Sequence, residues 1–271
     1  MVTQEQRKRQ LAREKFLRQQ QRRTSARRKA RMRNSVIASV LGVIIIGSLA
    51  LYTTGVLKDD DKTNASSETT PSASPSAAKD PCEKPAAGSI KTQTWKKEPA
   101  VTIDTSAKYT MTLATTCGDI GIALKAKAAP HTVNSFDFLA GKGYFDHTKC
   151  HRLTTKGIYV LQCGDPTGQG SGGPGYTIPD ENLKDASLKS NTYPAGTIAM
   201  ANTGQPHTGG SQFFLVYQDS QLPPSYTPFG TVSADGMKVL RKIAAAGENT
   251  GGGDGAPNAT VVINKATVTK T

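Results

Sequence analysis

Two polar side chains within one short stretch, residues 150–163, are the first candidates for chemistry. Arg152 precedes a polar break that contains Gly157, and Gln162 lies near the end of the apolar run that follows. Two short runs around a glycine predict a β-hairpin, which would bring Arg152 and Gln162 onto one face of neighbouring strands. A solvated strand face is the ordinary interpretation of such an arginine. Here it lies among apolar residues, where a fixed cation can stabilise charge on a bound carbonyl group.

A serine hydrolase is the first alternative, because Ser211 stands beside two glycines and His207 is near it in sequence. A nucleophile elbow needs a glycine two residues after the serine, and Phe213 occupies that position. No acidic residue is placed to orient His207. The chain also lacks a phosphate-binding glycine loop followed by Lys and Ser/Thr, and it lacks a dinucleotide fingerprint. We therefore expect neither hydrolase nor nucleotide chemistry.

The four cysteines fit two disulfides. Cys82, Cys117, Cys150 and Cys163 all follow the apolar segment described below, and four cysteines allow three pairings. If residues 155–158 form the hairpin turn, Cys150 and Cys163 face each other across its two strands. Cys82 would then join the segment before the domain to Cys117. We predict these two bonds.

A metal site is the competing interpretation of the same region. His147 and His151 stand close to Cys150 and Cys163, but their spacing differs from the paired two-residue separations of common zinc sites. Adjacent Cys150 and His151 would also point to opposite faces of a strand. We predict no metal and no other cofactor.

The charge of the chain is concentrated at its N-terminus. Residues 1–35 hold thirteen lysines and arginines against two glutamates, a local charge of +11 out of +13 for the whole chain. Residues 36–57 contain no charged side chain and are long enough to cross a bilayer as a helix. A cleaved signal peptide is the main alternative, but this apolar run is long for one and lacks a good small-residue cleavage site. We therefore predict a single uncleaved transmembrane anchor.

The basic tail predicts how this anchor is oriented. Lys and Arg remain on the cytoplasmic side, so residues 1–35 would be a cytoplasmic tail of a single-pass protein of the cell membrane. The tail and anchor would contact membrane lipid, and we expect no nucleic acid partner. We predict that residues 58–99 form a disordered tether and pre-domain segment, because residues 59–80 are rich in Ser, Thr, Ala and Pro. Residues 100–271 would form one extracytoplasmic domain.

The pattern within residues 100–271 indicates a mainly β fold. A helix should begin at Pro130, and a second amphipathic helix should precede Gly247. Many short strands, two helices and no strand–helix alternation favour a closed antiparallel barrel or a sandwich. Besides the hairpin, strands are predicted at 109–114, 120–124, 196–201, 213–216, 229–232 and 260–269.

Several short motifs in this domain, taken together, strongly resemble the cyclophilin family of peptidyl-prolyl cis-trans isomerases. They span about residues 108–269 and include VNSF at 133–136, HR at 151–152, MAN at 200–202 and SQFF at 211–214. The resemblance implies a closed eight-stranded antiparallel barrel with two helices. It also implies acceleration of X-Pro isomerisation, here during folding of secreted or cell-envelope proteins, with proline-containing polypeptides as substrates. A binding module or chaperone that only holds such segments is the competing function.

The resemblance also assigns the site. Arg152 matches the catalytic arginine, and Gln162 would help to orient it. The substrate pocket is implied to consist of Tyr159, Val160, Phe214, Leu222 and Tyr226 around the proline ring, with Gln162, Gln212, Ala201 and Asn202 on the peptide backbone.

Two features depart from the common family pattern. The turn after Arg152 is two residues longer, and Gln221 lies near the position where many members carry a pocket-edge tryptophan. The longer turn does not touch the catalytic set. The missing tryptophan puts inhibition by cyclosporin in doubt.

Overall fold

The computed structural model of the chain describes residues 80–271. The predicted basic tail at 1–35, the predicted anchor at 36–57 and the tether as far as residue 79 lie outside the described residues. Within residues 80–271, no helix combines the length and the apolar character needed to cross a membrane.

The domain is built around one large antiparallel sheet and two α-helices, which confirms the mainly β prediction. Along the sheet the order is β11-β4-β5-β8-β7-β10-β2-β1-β12-β3, and β6 and β9 form a separate pair. The strands are β1 Tyr109–Thr115, β2 Gly118–Leu124, β3 Thr148–Lys149, β4 Arg152–Thr154, β5 Val160–Cys163, β6 Thr192–Tyr193, β7 Thr197–Met200, β8 Phe213–Val216, β9 Ser220–Gln221, β10 Pro228–Val232, β11 Asp254–Gly255 and β12 Val262–Lys270.

Strand β1 shows how alternation of side chains creates the core. Tyr109, Met111 and Leu113 are buried, while the threonines between them are partly exposed. This is the period of two that places successive side chains on opposite faces of a sheet. β1 pairs with β2 on one side and with β12 on the other, so Leu113 faces Ile120 across the first ladder.

Strand β8 is buried on both faces and separates two apolar clusters. Phe213 and Leu215 belong to the main core, which lies on one face of the sheet. Phe214 and Val216 point the other way and form a second cluster with Val160. Strand alternation therefore places the second cluster on the outer face, away from the main core.

The predicted closed eight-stranded barrel requires a correction. The sheet has ten strands, and among the described residues its end strands β11 and β3 are not paired with each other. The physical reason is that the run 148–154 changes partner halfway along. Thr148 pairs with Ile263 of β12, whereas Arg152 pairs with Gln162 of β5. The two ends of the curled sheet are thus connected by residues 150–151, which link β3 to β4, and not by a continuous hydrogen-bonded ladder.

The two predicted helices are present and pack by their apolar sides. Helix α1 spans Pro130–Gly141 and begins with proline at its first turn, where no backbone N–H is needed. Helix α2 spans Ala234–Ala245, and the Ser233 side chain caps it by accepting a hydrogen bond from the Gly236 N–H. A 3₁₀ turn lies at Lys189–Asn191.

Both predicted disulfides, Cys82–Cys117 and Cys150–Cys163, are present. The first attaches residues 80–99, which we call the strap, to the turn between β1 and β2. The strap has no helix or strand. It is held by hydrogen bonds and by Trp95, whose ring packs 5.1 Å from that of Phe138 between centroids. The backbone N–H of Trp95 also donates to the carbonyl of Pro174 at 2.8 Å.

Candidate active site

The predicted hairpin brings Arg152 and Gln162 together. Arg152 of β4 stands opposite Gln162 of β5, and its Nη1 donates to Gln162 Oε1 at 3.1 Å. The pairing places both side chains on the outer face of the sheet, because Val160 of the second cluster is two residues from Gln162 on the same strand. The register of β4 and β5 therefore positions the Arg152 side chain beside the second apolar cluster.

A directed chain of hydrogen bonds leads away from the guanidinium. Gln162 Nε2 donates to Gln212 Oε1 at 2.9 Å, and Gln212 Nε2 donates to the carbonyl of Gly172 at 3.0 Å. An arginine can only donate, so Gln162 must present its oxygen to Arg152 and its amide nitrogen to Gln212. Arg152 thereby determines the orientation of both side-chain amides.

An aspartate that the sequence analysis did not single out forms the other contact of the arginine. Asp254 of β11 accepts from Arg152 Nε at 2.7 Å and from Nη2 at 2.8 Å, a bidentate ion pair. The hydrogen bond from Arg152 lowers the pKa of Asp254, and the same bond raises the pKa of Arg152. Both groups are therefore charged at neutral pH. The only sequence signal was an isolated acid in the glycine-rich run 251–255.

Beside the guanidinium lies a small cavity of about 110 Å³ that has an apolar floor and a partly polar rim. Val160 and Phe214 are buried and form its floor, while Leu222 and Tyr226 pack against them from the loop after β9. The cavity thus offers an apolar recess directly next to a charged hydrogen-bond donor. Its complete lining is Arg152, Ile158, Val160, Gln162, Ala201, Asn202, Phe214, Leu222 and Tyr226.

Two predicted site residues lie elsewhere. Tyr159 is absent from the cavity, and its ring packs 5.9 Å from that of Tyr217. Ile158 takes its place, since residues 158 and 160 share a face of the chain and 159 has the opposite one. Gln212 lines the adjoining larger cavity, which is described below. The structure brings the other eight residues of the predicted set together around the small cavity.

The backbone of Tyr226, whose side chain forms one wall of the small cavity, is held by hydrogen bonds to Tyr193. The buried Tyr193 hydroxyl donates to the Tyr226 carbonyl at 2.7 Å and accepts from the Tyr226 N–H at 3.2 Å. Burial raises the pKa of Tyr193 to about 12, so this hydroxyl keeps its proton. Asn202 contributes from the opposite loop, where its Nδ2 donates to the Ser225 carbonyl at 2.8 Å.

A larger open cavity of about 890 Å³ adjoins the small one, and Gln162, Ala201 and Asn202 line both. One wall is the glycine-rich loop, residues 168–175. The other wall comes from the strap, which contributes Lys96 and its neighbours 97 and 98. Together the two cavities form a continuous groove across the outer face of β5 and β8.

The glycine-rich loop is shaped by one buried carboxylate. Asp165 accepts hydrogen bonds from the backbone N–H groups of Thr167 at 2.7 Å and Ser171 at 2.9 Å. A Cβ at Gly172 would collide with this carboxylate, so the close approach requires glycine. The Gly172 carbonyl is thereby held where it accepts from Gln212.

Groups that could hold a metal ion are absent from the described part of the chain. Cys150 and Cys163 of the competing metal interpretation are bonded to each other, so neither can supply a thiolate.

Comparison with known proteins gives consistent matches. A family model described as cyclophilin type peptidyl-prolyl cis-trans isomerase/CLD matches residues 110–268. A probable peptidyl-prolyl cis-trans isomerase B of Mycobacterium leprae is 53% identical over 165 residues, which cover 58% of this chain and 56% of that protein. Its counterpart in Mycobacterium tuberculosis is 50% identical, with 58% and 53% covered. The chain therefore spans about half the length of the curated relatives it matches.

A solved structure matches as well. The crystal structure of a cyclophilin type peptidyl-prolyl cis-trans isomerase from Cryptosporidium parvum aligns with a TM-score of 0.51 and 28% identity. The alignment covers 60% of this chain and 99% of that one. A second structure of that protein, in the presence of the dipeptide Ala-Pro, aligns with a TM-score of 0.50.

Proposed function

This chain belongs to the cyclophilin-type peptidyl-prolyl cis-trans isomerases, and from that membership we propose that it accelerates the isomerisation of X-Pro bonds in polypeptides. The single observation that carries the proposal is the guanidinium of Arg152 at the edge of a cavity of about 110 Å³ whose floor is apolar. A proline ring needs an apolar recess, and its peptide bond needs a hydrogen-bond donor beside that recess.

The chemical task is to lower a rotational barrier. Rotation about a peptide bond costs about 18–20 kcal/mol because the C–N bond has partial double-bond character. In the twisted state the nitrogen loses conjugation and the carbonyl polarity changes, but no covalent bond is broken. An enzyme can therefore act by binding the twisted state more tightly than either planar isomer.

Arg152 is the residue that we assign to this task. Its N–H groups that do not face Asp254 or Gln162 can donate to the prolyl carbonyl or nitrogen as conjugation is lost. Val160 and Phe214 would hold the ring against rotation, and the glutamines would bind the backbone on either side. No cofactor is required by this mechanism.

The test is a protease-coupled isomerisation assay on a short Ala-Pro peptide with the Arg152→Ala variant. Loss of a donor aimed at developing charge typically costs about 2.7–4 kcal/mol, so kcat/KM should fall by roughly 100- to 1,000-fold. The matched control is Arg241→Ala, because Arg241 lies exposed on helix α2.

A wild-type rate in the Arg152→Ala variant would contradict the assigned mechanism. Tight binding of proline-containing peptides without any acceleration would instead favour the competing function, a binding module or chaperone.

We further propose that the chain is a single-pass protein of the cell membrane with its catalytic domain outside, acting on secreted or cell-envelope proteins. The proposal is supported by the uncharged run 36–57 after a basic tail, and by two disulfides, which form in oxidising compartments. In cells stripped of any outer layer, added protease should remove the domain and spare the tail. Protection of the domain would contradict this topology.

The lack of a tryptophan at the pocket edge leads us to propose weak inhibition by cyclosporin. Gln221 lies exposed on β9 and is not among the residues that line the small cavity. Inhibition titrations with cyclosporin would measure this directly.

A further inference from the structure

The bidentate pair between Asp254 and Arg152 is the feature of the site that the mechanism above does not use. Strand β11 consists of Asp254 and Gly255 alone, and it pairs with β4 so that Asp254 stands opposite Thr154. Arg152 is the diagonal neighbour of Asp254 in this ladder, within reach of a long side chain. The pairing of β11 with β4 therefore delivers one carboxylate to the catalytic arginine.

The contacts leave part of the guanidinium open. Asp254 occupies Nε and one N–H of Nη2, while Gln162 occupies one N–H of Nη1. Of the five N–H donors of arginine, one on each terminal nitrogen then remains unused by these two partners. The carboxylate and the amide thus clamp the group from two sides without blocking it.

The turn that carries Asp254 does not depend on this carboxylate for its shape. Glu248 already accepts from the backbone N–H groups of Thr250 at 2.6 Å and Gly253 at 2.8 Å. Asn249 Oδ1 also accepts from the Ala256 N–H at 3.0 Å. These contacts account for the turn, so the Asp254 side chain serves the arginine.

The pair also adds little to stability. The side chains of Arg152 and Asp254 are 37% and 56% exposed, and exposed ion pairs are worth about 0–1 kcal/mol. An arginine at the protein surface, with its long flexible stem, would otherwise sample many rotamers. The effect of Asp254 should therefore be seen in catalysis and not in the melting temperature.

We propose that Asp254 is a positioning residue, which holds the Arg152 guanidinium in the one orientation that presents its two open N–H groups to a substrate carbonyl. This rests on the proposed function of Arg152 as the catalytic donor. A misplacement of about 1 Å can cost about 100-fold in rate, so a side chain that removes such freedom raises kcat.

The test compares Asp254→Asn and Asp254→Glu in the Ala-Pro peptide assay, with kcat and KM measured separately. Asp254→Asn should lower kcat about tenfold, on the order of the loss from a modest misplacement. KM and the melting temperature should stay near the wild-type values. Asp254→Glu keeps the charge and should recover part of the loss. Asp104→Asn is the control, because it breaks an exposed ion pair with Lys270.

A double variant separates positioning from any effect on the fold. If Asp254 acts only through Arg152, then Arg152→Ala with Asp254→Asn should be no slower than Arg152→Ala alone. A further loss in the double variant would contradict the proposal. So would an unchanged or raised kcat in Asp254→Asn, which would mean that the carboxylate merely offsets the charge of the arginine.

The proposed function fails in a different way. A wild-type rate in Arg152→Ala would remove the catalytic role of the arginine, and the positioning role of Asp254 with it. A slow Arg152→Ala variant beside a fully active Asp254→Asn variant would overturn only the role of Asp254.

Discussion

The imidazole of His151, between Cys150 and Arg152, has no hydrogen-bond partner within residues 80–271. Both of its ring nitrogens are inaccessible and lack a partner among the described residues. The charged groups that act on the ring are Asp165 and Arg152. Burial lowers the pKa of His151, and Arg152 lowers it further, while Asp165 opposes them. The ring is therefore neutral in the folded protein at neutral pH.

This environment predicts that the domain loses stability in mild acid. The unfolded chain binds a proton at His151 near pH 6.5, whereas the folded chain resists it, so unfolding is favoured as the pH falls below about 6.5. The loss should continue until the pH passes the lower, folded pKa. Urea unfolding at pH 7.5 and pH 5.5 should show a smaller difference for His151→Phe than for the wild type.

The control for this prediction is His207→Gln, since the His207 side chain is 67% exposed. That variant should retain the wild-type difference between the two pH values. An unchanged difference in His151→Phe would contradict the prediction.

Single residues also mark the limits of sequence interpretation. The motifs identified Arg152, Gln162 and Phe214, because the types and order of these residues are distinctive. The assignment of Tyr159 followed the resemblance, whereas alternation from Val160 favours Ile158. Asp254 could not be predicted, since it lies 102 residues from Arg152 and no local pattern connects them.

At the scale of elements, strands β5 and β8 explain why the site lies where it does. In each strand, alternate side chains belong to the main core and to the second apolar cluster. The same two strands therefore separate the groove from the main core. Alternation and turn residues predicted most strands and both helices. They could not predict the partner change within residues 148–154, because the pairing of Thr148 depends on β12, which is distant in sequence.

The strap is the element that makes the larger cavity basic at one edge. Lys96 and Lys97 are exposed and line it together with Glu98, whose carboxylate lies 3.2 Å from the His131 ring. Within residues 80–271, neither lysine forms an ion pair. Two positive charges therefore face the groove next to the proposed proline site.

We expect a preference for substrates with an acidic residue close to the X-Pro bond. Exposed charge pairs contribute about 0.2–1 kcal/mol, so kcat/KM for a Glu-containing peptide should exceed that for its Lys counterpart by a few-fold. The preference should weaken at high salt. Lys96→Glu with Lys97→Glu should reverse it in a matched peptide series.

A control with the same change in net charge is Lys127→Glu with Lys265→Glu, both exposed and outside the larger cavity. This control should keep the wild-type preference. Reversal in the control would mean that overall charge, and not the strap, determines the selectivity.

At the scale of the whole molecule, the two disulfides have different consequences. Cys82–Cys117 closes 35 residues and holds the strap, whereas Cys150–Cys163 closes 13 and flanks Arg152 and Gln162. Loss of either bond should lower the free energy of unfolding by roughly 2–4 kcal/mol, because the unfolded chain gains conformational entropy.

The two losses should differ in their effect on activity. Cys82→Ser with Cys117→Ser should free the strap to protease and weaken the charge preference, while the Ala-Pro peptide is still isomerised. Cys150→Ser with Cys163→Ser should lower kcat, because the hairpin that holds the arginine is loosened. Peptide mapping, limited proteolysis and the peptide assay would measure these outcomes, and equal effects on kcat would contradict the distinction.

The pairing of β1 with β12, in which Tyr109 faces Lys270, has a consequence for biosynthesis. The first strand of the sheet finds its partner among residues 262–270, and Arg152 finds its carboxylate at residue 254. A growing chain cannot complete either contact until those residues have been made. The sheet can therefore be completed, and Arg152 held by Asp254, only after residues 254–270 have been translated.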